Sequence, residues 1–157
     1  MAVIIPKKQL SSILGQNKKK KKHRTKKKTK YNNTRIKEFG LTFDSKNEYN
    51  RYCFLLKMEK AGLISSLRYH EKSDIIILQE KPKIKYIPDF CYIENGFFVI
   101  EDFKGYQTKE FRIKKKLVIG LLSSSSLKID TKLRLVSKGN NNSFKIIEEY
   151  VFFMQKT

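Results

Sequence analysis

The sequence predicts an α/β domain, a mixed central sheet with helices packed against it. Three observations carry that expectation. Ser45-Lys46-Asn47-Glu48 has the capping-box pattern that opens a helix. Asn95-Gly96, between two strand-like runs, is the strongest short-range signal for a two-residue hairpin. Thr108 to about Leu122 has helical spacing and precedes two further strand-like runs, so helices and strands share the chain.

The elements follow in order. Residues 1–30 hold 12 Lys and Arg and no acid. Their mutual repulsion predicts a disordered basic arm, solvated and adding nonspecific affinity for polyanions. The run also matches a nuclear-localisation pattern, as any such run does. The folded domain spans 31–157. Thr34 to Leu41 reads as a short strand or loop, followed by Phe43. Ser45 then caps a helix that runs to about Ala61, with Gly62 as its stop. Tyr49, Tyr52, Cys53, Leu56 and Leu63 recur at helical spacing, which predicts that their face is buried. Ser73 to Gln79, with the apolar run Ile75 to Leu78, predicts a strand. Lys83 to Ile93 predicts a second and Phe97 to Lys104 a third, closed by Gly105. In the second helix Phe111, Lys114, Lys115, Val118, Leu121 and Leu122 mark the faces, and Ser123 to Ser126 is a loop. Leu133 to Val136 and Phe144 to Tyr150 complete the sheet across the polar turn Lys138 to Ser143.

Composition narrows the partners. The net charge is +20, from 35 Lys and Arg against 15 Asp and Glu. Residues 31–157 alone carry 23 basic and 15 acidic residues, or +8. A polyanion is the natural partner, and nucleic acid is the commonest. Membrane fits poorly, because there is neither a lipidation signal nor a long apolar stretch. Cys53 and Cys91 make no disulfide framework and no zinc spacing, and Met1 to Pro6 is too short for a signal-peptide core. A reducing, cytoplasmic location is expected.

The hairpin brings chemistry together. With Asn95 and Gly96 as loop residues, Glu94 faces Phe97 and Asp89 faces Asp102. Directly opposed residues have Cβ atoms about 4.5–5.5 Å apart. Alternation places Ile87, Asp89, Cys91 and Ile93 on one face with Phe98, Ile100, Asp102 and Lys104. Two carboxylates in a mostly apolar row repel each other, and burial raises the cost. A divalent cation compensates, and Mg²⁺ characteristically takes one or two carboxylates and keeps several waters. Lys104 lies on the same face as a third partner. The alternative is a satisfied charge cluster without metal. Apolar residues would serve stability as well, however, and perturbed ionisable groups gather at functional sites.

Pro88-Asp89 followed across a turn by Asp102-Phe103-Lys104 resembles the PD-(D/E)XK nuclease motif. The words Gly40 to Tyr52, Ala61 to Ile64, Tyr86 to Phe90 and Glu101 to Gly105 are similar to a family of small, mostly phage-borne proteins. That family has been described as a domain of unknown function with an expected nuclease or junction-resolvase fold. The resemblance covers roughly residues 30–120. It implies a restriction-endonuclease-like core and a metal-dependent endodeoxyribonuclease, with branched, Holliday junction-like DNA as a substrate. It further implies Mg²⁺, for which Mn²⁺ substitutes, and a homodimer, the form in which such enzymes often work. A phage-borne protein would act in the bacterial cytoplasm or nucleoid.

Position by position, the resemblance gives Asp89 and Asp102 as metal carboxylates and the Phe103 carbonyl as a further oxygen ligand. Lys104 would activate or orient the attacking water and offset charge on the phosphate. Glu48 matches an acid on the first helix that supports a metal or a bound water, yet it also completes the capping box. Glu101, on the opposite face from Asp102, reads as structural or salt-bridged. The family favours Gln near the position of His70. A lone His is more often a surface residue, and His70 is not counted as catalytic. Arg112, Lys115 and Lys116, neighbours at i, i+3 and i+4, are the first candidates for phosphate contact. Lys114, at a position that is basic in the family, is the next. The rival functional class is a noncatalytic basic nucleic-acid-binding protein, including an inactivated nuclease fold.

Overall fold

Nine strands, two α-helices and one short 3-10 turn make up the computed structural model, which describes residues 34–154 apart from Ser126 and Asn142. The expected basic arm, residues 1–30, lies outside the described residues. The strands are β1 (Ile36–Glu38), β2 (Leu41–Phe43), β3 (Ser65–Tyr69), β4 (Ile76–Gln79), β5 (Ile84–Tyr86), β6 (Phe90–Glu94), β7 (Phe97–Phe103), β8 (Thr131–Lys138) and β9 (Phe144–Phe152). The helices are α1 (Lys46–Lys60) and α2 (Lys109–Ser124).

Five strands form the central sheet, in the order β3-β6-β7-β8-β9. β7 and β8 are parallel and the other neighbouring pairs antiparallel, so the sheet is mixed as expected. A parallel pair needs a crossover, and α2 supplies it. The hairpin register is the one the Asn95-Gly96 turn predicts: Glu94 pairs with Phe97 and the ladder runs to Phe90 opposite Glu101. Both turn residues have positive φ, 51° at Asn95 and 81° at Gly96, as a turn matched to the strand twist requires.

Alternation along β6, β7 and β8 builds two cores. On one face Phe90, Tyr92, Val99, Phe103 and Val136 pack with Leu55 of α1 and Phe43 of the β1–β2 hairpin. On the other, Cys91, Ile100 and Leu133 pack with Val118 and Leu122 of α2 and Tyr86 of β5. Thus Glu101 and Asp102, adjacent in β7, point into different layers.

Several expectations are corrected. Lys83 to Ile93 is two strands in two sheets: β5 pairs with β4, and β6 with β3 and β7. Pro88 lacks the N–H that a continuous ladder needs, and the chain changes sheets there. The buried positions of α1 are Arg51 and Leu55; Tyr49, Tyr52, Cys53 and Leu56 are half-buried at its flanks, and Leu63 is exposed. The charged Arg51 sits at the centre of the inward face because Glu101 meets it there. β3, which no apolar run announces, forms the edge beside β6, with a register irregularity between Ser65 and Arg68. The second helix extends through Ser123 and Ser124.

Candidate active site

Local sequence explains why acids gather at the β6–β7 end. Asp89 follows Pro88 and precedes β6, one step beyond the last ladder pair. Its groups replace the missing strand contacts. The Phe103 N–H donates to Asp89 Oδ2 at 2.7 Å, and the His70 N–H donates to the Asp89 carbonyl at 3.2 Å. Asp102, near the C-terminal end of β7, is 1% exposed. Lys104 reaches back between the two acids, with Nζ 3.0 Å from Asp102 Oδ1 and 3.5 Å from Asp89 Oδ2. Its ammonium also lies 5.0 Å from the centre of the Phe111 ring on α2, a cation–π contact that steadies it. Asp89, Asp102 and Lys104 are therefore one cluster.

The two carboxylates are driven apart electrostatically. Burial works against ionisation of Asp89, but the His70 bond, the Lys104 charge and the Phe103 N–H together hold its carboxyl below the usual range. Asp102 is pushed up to about 7, first by burial and then by the charge of Asp89, with Lys104 and Tyr86 only partly opposing. Lys104 is raised: burial lowers it, and the two acids more than offset that. The site thus holds one firm anion, one reluctant anion and one firm cation, the separation of protonation states that acid–base chemistry uses.

Two oxygens of Asp102 differ in what they meet. Oδ2 accepts a hydrogen bond from the Tyr86 hydroxyl. Oδ1 is buried and meets the Lys104 ammonium at 3.0 Å, with no backbone N–H or hydroxyl donor beside it among the described residues. A buried carboxylate oxygen answered only by an ammonium, beside a second carboxylate, fits a hard divalent cation. No group of three or more His, Cys, Asp and Glu converges at ligand distance among the described residues, so backbone carbonyl and water would complete the shell. An extended residue turns its C=O the same way as its N–H, so the Phe103 carbonyl is directed to the Asp89 side.

Glu48 caps and also looks toward the site. Ser45 Oγ accepts the Glu48 N–H at 3.2 Å and donates back to Glu48 Oε1 at 3.1 Å. Glu48 Oε2 accepts from Asp44 N–H and from the Tyr69 hydroxyl, each at 3.3 Å. Burial first, and the charge of Asp89 second, raise its pKa. It stands near Asp89 without touching it, so capping and site support are both present in one side chain.

His70 and Tyr86 join the cluster without having been expected there from the sequence. His70 Nε2 lies 3.1 Å from Asp89 Oδ1, and its ring stacks on Tyr69 with centroids 4.2 Å apart. The Asp89 bond raises the His70 pKa against the opposing effect of burial. The signal for His70 is its position at the end of β3, a strand without an apolar run to reveal it. Tyr86 is hidden when 83–93 is read as one strand.

The basic candidates divide along α2. Lys114 lines a cleft of about 360 Å³ whose floor holds Asp102 and Lys104, and it pairs with Glu110 at 3.0 Å. Arg112, Lys115 and Lys116 line a second hollow that also includes Lys104. Arg112 and Lys116 are exposed, whereas Lys115 is tied to Glu148 at 2.6 Å and to Gln107 at 3.2 Å. Its charge is already matched. Glu101 is the salt-bridged residue expected: Arg51 donates two hydrogen bonds to it, each 2.7 Å, and Tyr92 a third. No helix among the described residues is long and apolar enough to cross a membrane.

No curated protein and no solved structure matches the chain. Residues 28–129 match a family model described as a protein of unknown function (DUF1064). The match spans Glu48, His70, Asp89, Asp102, Lys104 and all of α2, and it covers well over half of the 157 residues. The chain belongs to this DUF1064 family of proteins of unknown function.

Proposed function

We propose that this chain is a metal-dependent endodeoxyribonuclease built on a PD-(D/E)XK core, in which β6, β7, the α2 crossover and β8 carry the site and α1 brings Glu48 to its rim. One observation carries the reading: Asp102 is a buried carboxylate beside Asp89 whose Oδ1 is met, among the described residues, by the Lys104 ammonium alone, in a cleft lined also by Lys85, Lys114 and Glu110. For stability alone apolar side chains would serve as well as two buried acids and a lysine, and perturbed ionisable groups gather at functional sites.

Asp89 and Asp102 would hold Mg²⁺, or Mn²⁺ in its place, with the Phe103 carbonyl as a further ligand. Bound there, the cation would polarise the phosphoryl oxygen and lower the pKa of a bound water. The chain's own residues do the rest. Asp89 stays anionic because His70, Lys104 and the Phe103 N–H stabilise that form. Lys104, kept charged by both acids, orients the attacking water and offsets charge gathering on the phosphate. Glu48 stands at the rim to hold a further water. Arg112, Lys116 and Lys114 neutralise neighbouring phosphates, which positions DNA without reading its sequence. Branched DNA is the substrate form we favour, with a homodimer acting on the two strands, in the cytoplasm where such DNA lies.

The charge of +20 taken alone also favours a noncatalytic nucleic-acid-binding protein. Incubation of supercoiled plasmid, a four-way junction, single-stranded DNA and RNA with Mg²⁺, Mn²⁺ or EDTA separates the two. Cleavage of DNA in Mg²⁺ but not EDTA, lost in Asp89→Ala and Lys104→Ala, is the expected result. Binding without any cleavage means the noncatalytic reading holds. Equal cutting by the variants means the activity lies elsewhere.

A further inference from the structure

Around the acids, nearly every aromatic ring is engaged. Tyr86 bonds Asp102, Tyr69 carries the stacked His70, and Phe111 lies under the Lys104 ammonium. Tyr106 is the exception. It stands two residues after Lys104 in the short lead-in to α2, it is 67% exposed, and among the described residues no ring or cation packs on its face. An exposed tyrosine presents a flat apolar face with a wet hydroxyl, the kind of side chain enriched where partners bind.

Its surroundings say what would cover it. Tyr106 lines the 360 Å³ cleft over Asp102 and Lys104, and it also borders the second hollow, which contains Arg112 and Lys116. It therefore stands on the ridge between the reacting groups and the exposed cations of α2. Ile87, 48% exposed, and Lys85 line the same cleft. The volume falls within the roughly 300–1,000 Å³ of clefts that take small ligand groups. A flat aromatic face, an exposed apolar side chain and ammonium groups lining one cleft suit a planar ring joined to a phosphate.

We infer that Tyr106 is a stacking platform for an unpaired nucleobase, the one adjoining the phosphate held at Asp102 and Lys104. This rests on the nuclease reading of that site and adds to it the class of DNA preferred. A base inside a duplex has both faces covered by its neighbours, so it has none to offer Tyr106 unless it leaves the stack. An unpaired base has a free face. The site then selects nucleotides next to a branch point, a bulge or a single-stranded segment over the same sequence fully paired. Stacking of this kind tolerates any base, so the selection is for structure and not for sequence.

The test measures binding apart from cutting. Full-length wild type, Tyr106→Phe and Tyr106→Ala are titrated in EDTA, by fluorescence anisotropy, with one sequence in three forms: paired duplex, duplex with a two-nucleotide bulge, and single strand. Raised salt suppresses the nonspecific contribution of the basic residues. In wild type and Tyr106→Phe, the bulged and single-stranded forms should bind about tenfold more tightly than duplex, and Tyr106→Ala should lose that margin while its duplex affinity holds. A 2-aminopurine placed in the bulge should be quenched by wild type and Tyr106→Phe but not by Tyr106→Ala. Equal affinity of wild type for all three forms overturns the inference, as does a Tyr106→Ala loss that is the same on all three. Cleavage in Mg²⁺, scored separately, decides the nuclease reading. A protein that selects the bulge but cuts nothing would keep Tyr106 as a stacking residue and sink the catalytic assignment alone.

Discussion

Asp102 is costly to the metal-free fold, and the cost has a sign. Its carboxyl has an ordinary value of 3.8 and is pushed up to about 7 by burial and by Asp89. Between those values the unfolded chain has released a proton that the folded chain retains. Stability from this group is full below about pH 4 and falls as pH rises through about 7. Asp102→Asn removes both the penalty and the repulsion with Asp89. In EDTA it should therefore melt higher than wild type at pH 8, by about 2–8 °C per kcal/mol relieved, with the advantage gone at pH 4. Added Mg²⁺ should raise the wild-type melting temperature and leave Asp102→Asn where it was. A pH-independent difference between the two proteins would mean that the Asp102 charge is not its source. At this scale the sequence is informative where geometry is local. Asn95-Gly96 determines which residues oppose which, and so brings Asp89, Asp102 and Lys104 together before any coordinates are known. His70 is out of reach because its contact with Asp89 depends on β3, whose Ser65–Tyr69 carries no apolar run, and on a backbone φ of 49° at His70.

The elements are tied by a second cluster, on the α1 side of the sheet. Arg51 of α1 meets Glu101 of β7; the Tyr92 hydroxyl of β6 donates to Glu101 at 2.6 Å; Arg134 of β8 donates to Tyr92 at 2.9 Å and to Glu149 of β9 at 2.6 Å. One hydrogen-bonded row thus crosses four strands and docks a helix. Arg51→Met alone leaves Glu101 charged, 0% exposed and unpaired, at a cost of roughly 3–5 kcal/mol. Arg51→Met with Glu101→Gln should recover much of that, since Gln still accepts from Tyr92. Urea unfolding of both singles and the double reads the coupling, and a double no more stable than Arg51→Met would refute it. None of this row is legible in the sequence beyond the face of Glu101. A periodicity of apolar residues locates α1 but favours the tyrosines, whereas the inward centre is an arginine. The strand boundary at Pro88 is visible in principle, because proline interrupts a ladder, but a run of alternating residues on either side disguises the change of sheet.

At the scale of the molecule, charge and fold act separately. The α/β class and the mixed sheet follow from the order of capping box, hairpin and second helix, features that each depend on a few adjacent residues. The charge predicts behaviour rather than shape. Residues 1–30 carry +12 of the +20. Removing them should make the plot of log affinity for DNA against log salt distinctly shallower, by about 0.9 for each phosphate the arm had neutralised, without altering turnover at saturating DNA. An unchanged slope would mean that the arm does not meet DNA.

The neighbouring acids Glu101 and Asp102 have a consequence for how such a chain can change over time. One is matched by a guanidinium from a helix; the other pairs with Lys104 and lines the cleft. Arg51 and Glu101 can drift only as a couple, since either alone strands a charge in the core, and an apolar couple would serve the fold as well. Asp102 is held by Tyr86 and Lys104, and on the nuclease reading its replacement is restricted to another carboxylate. On that reading two acids side by side in the sequence are under different kinds of selection, one free to change in pairs and the other held to a carboxylate.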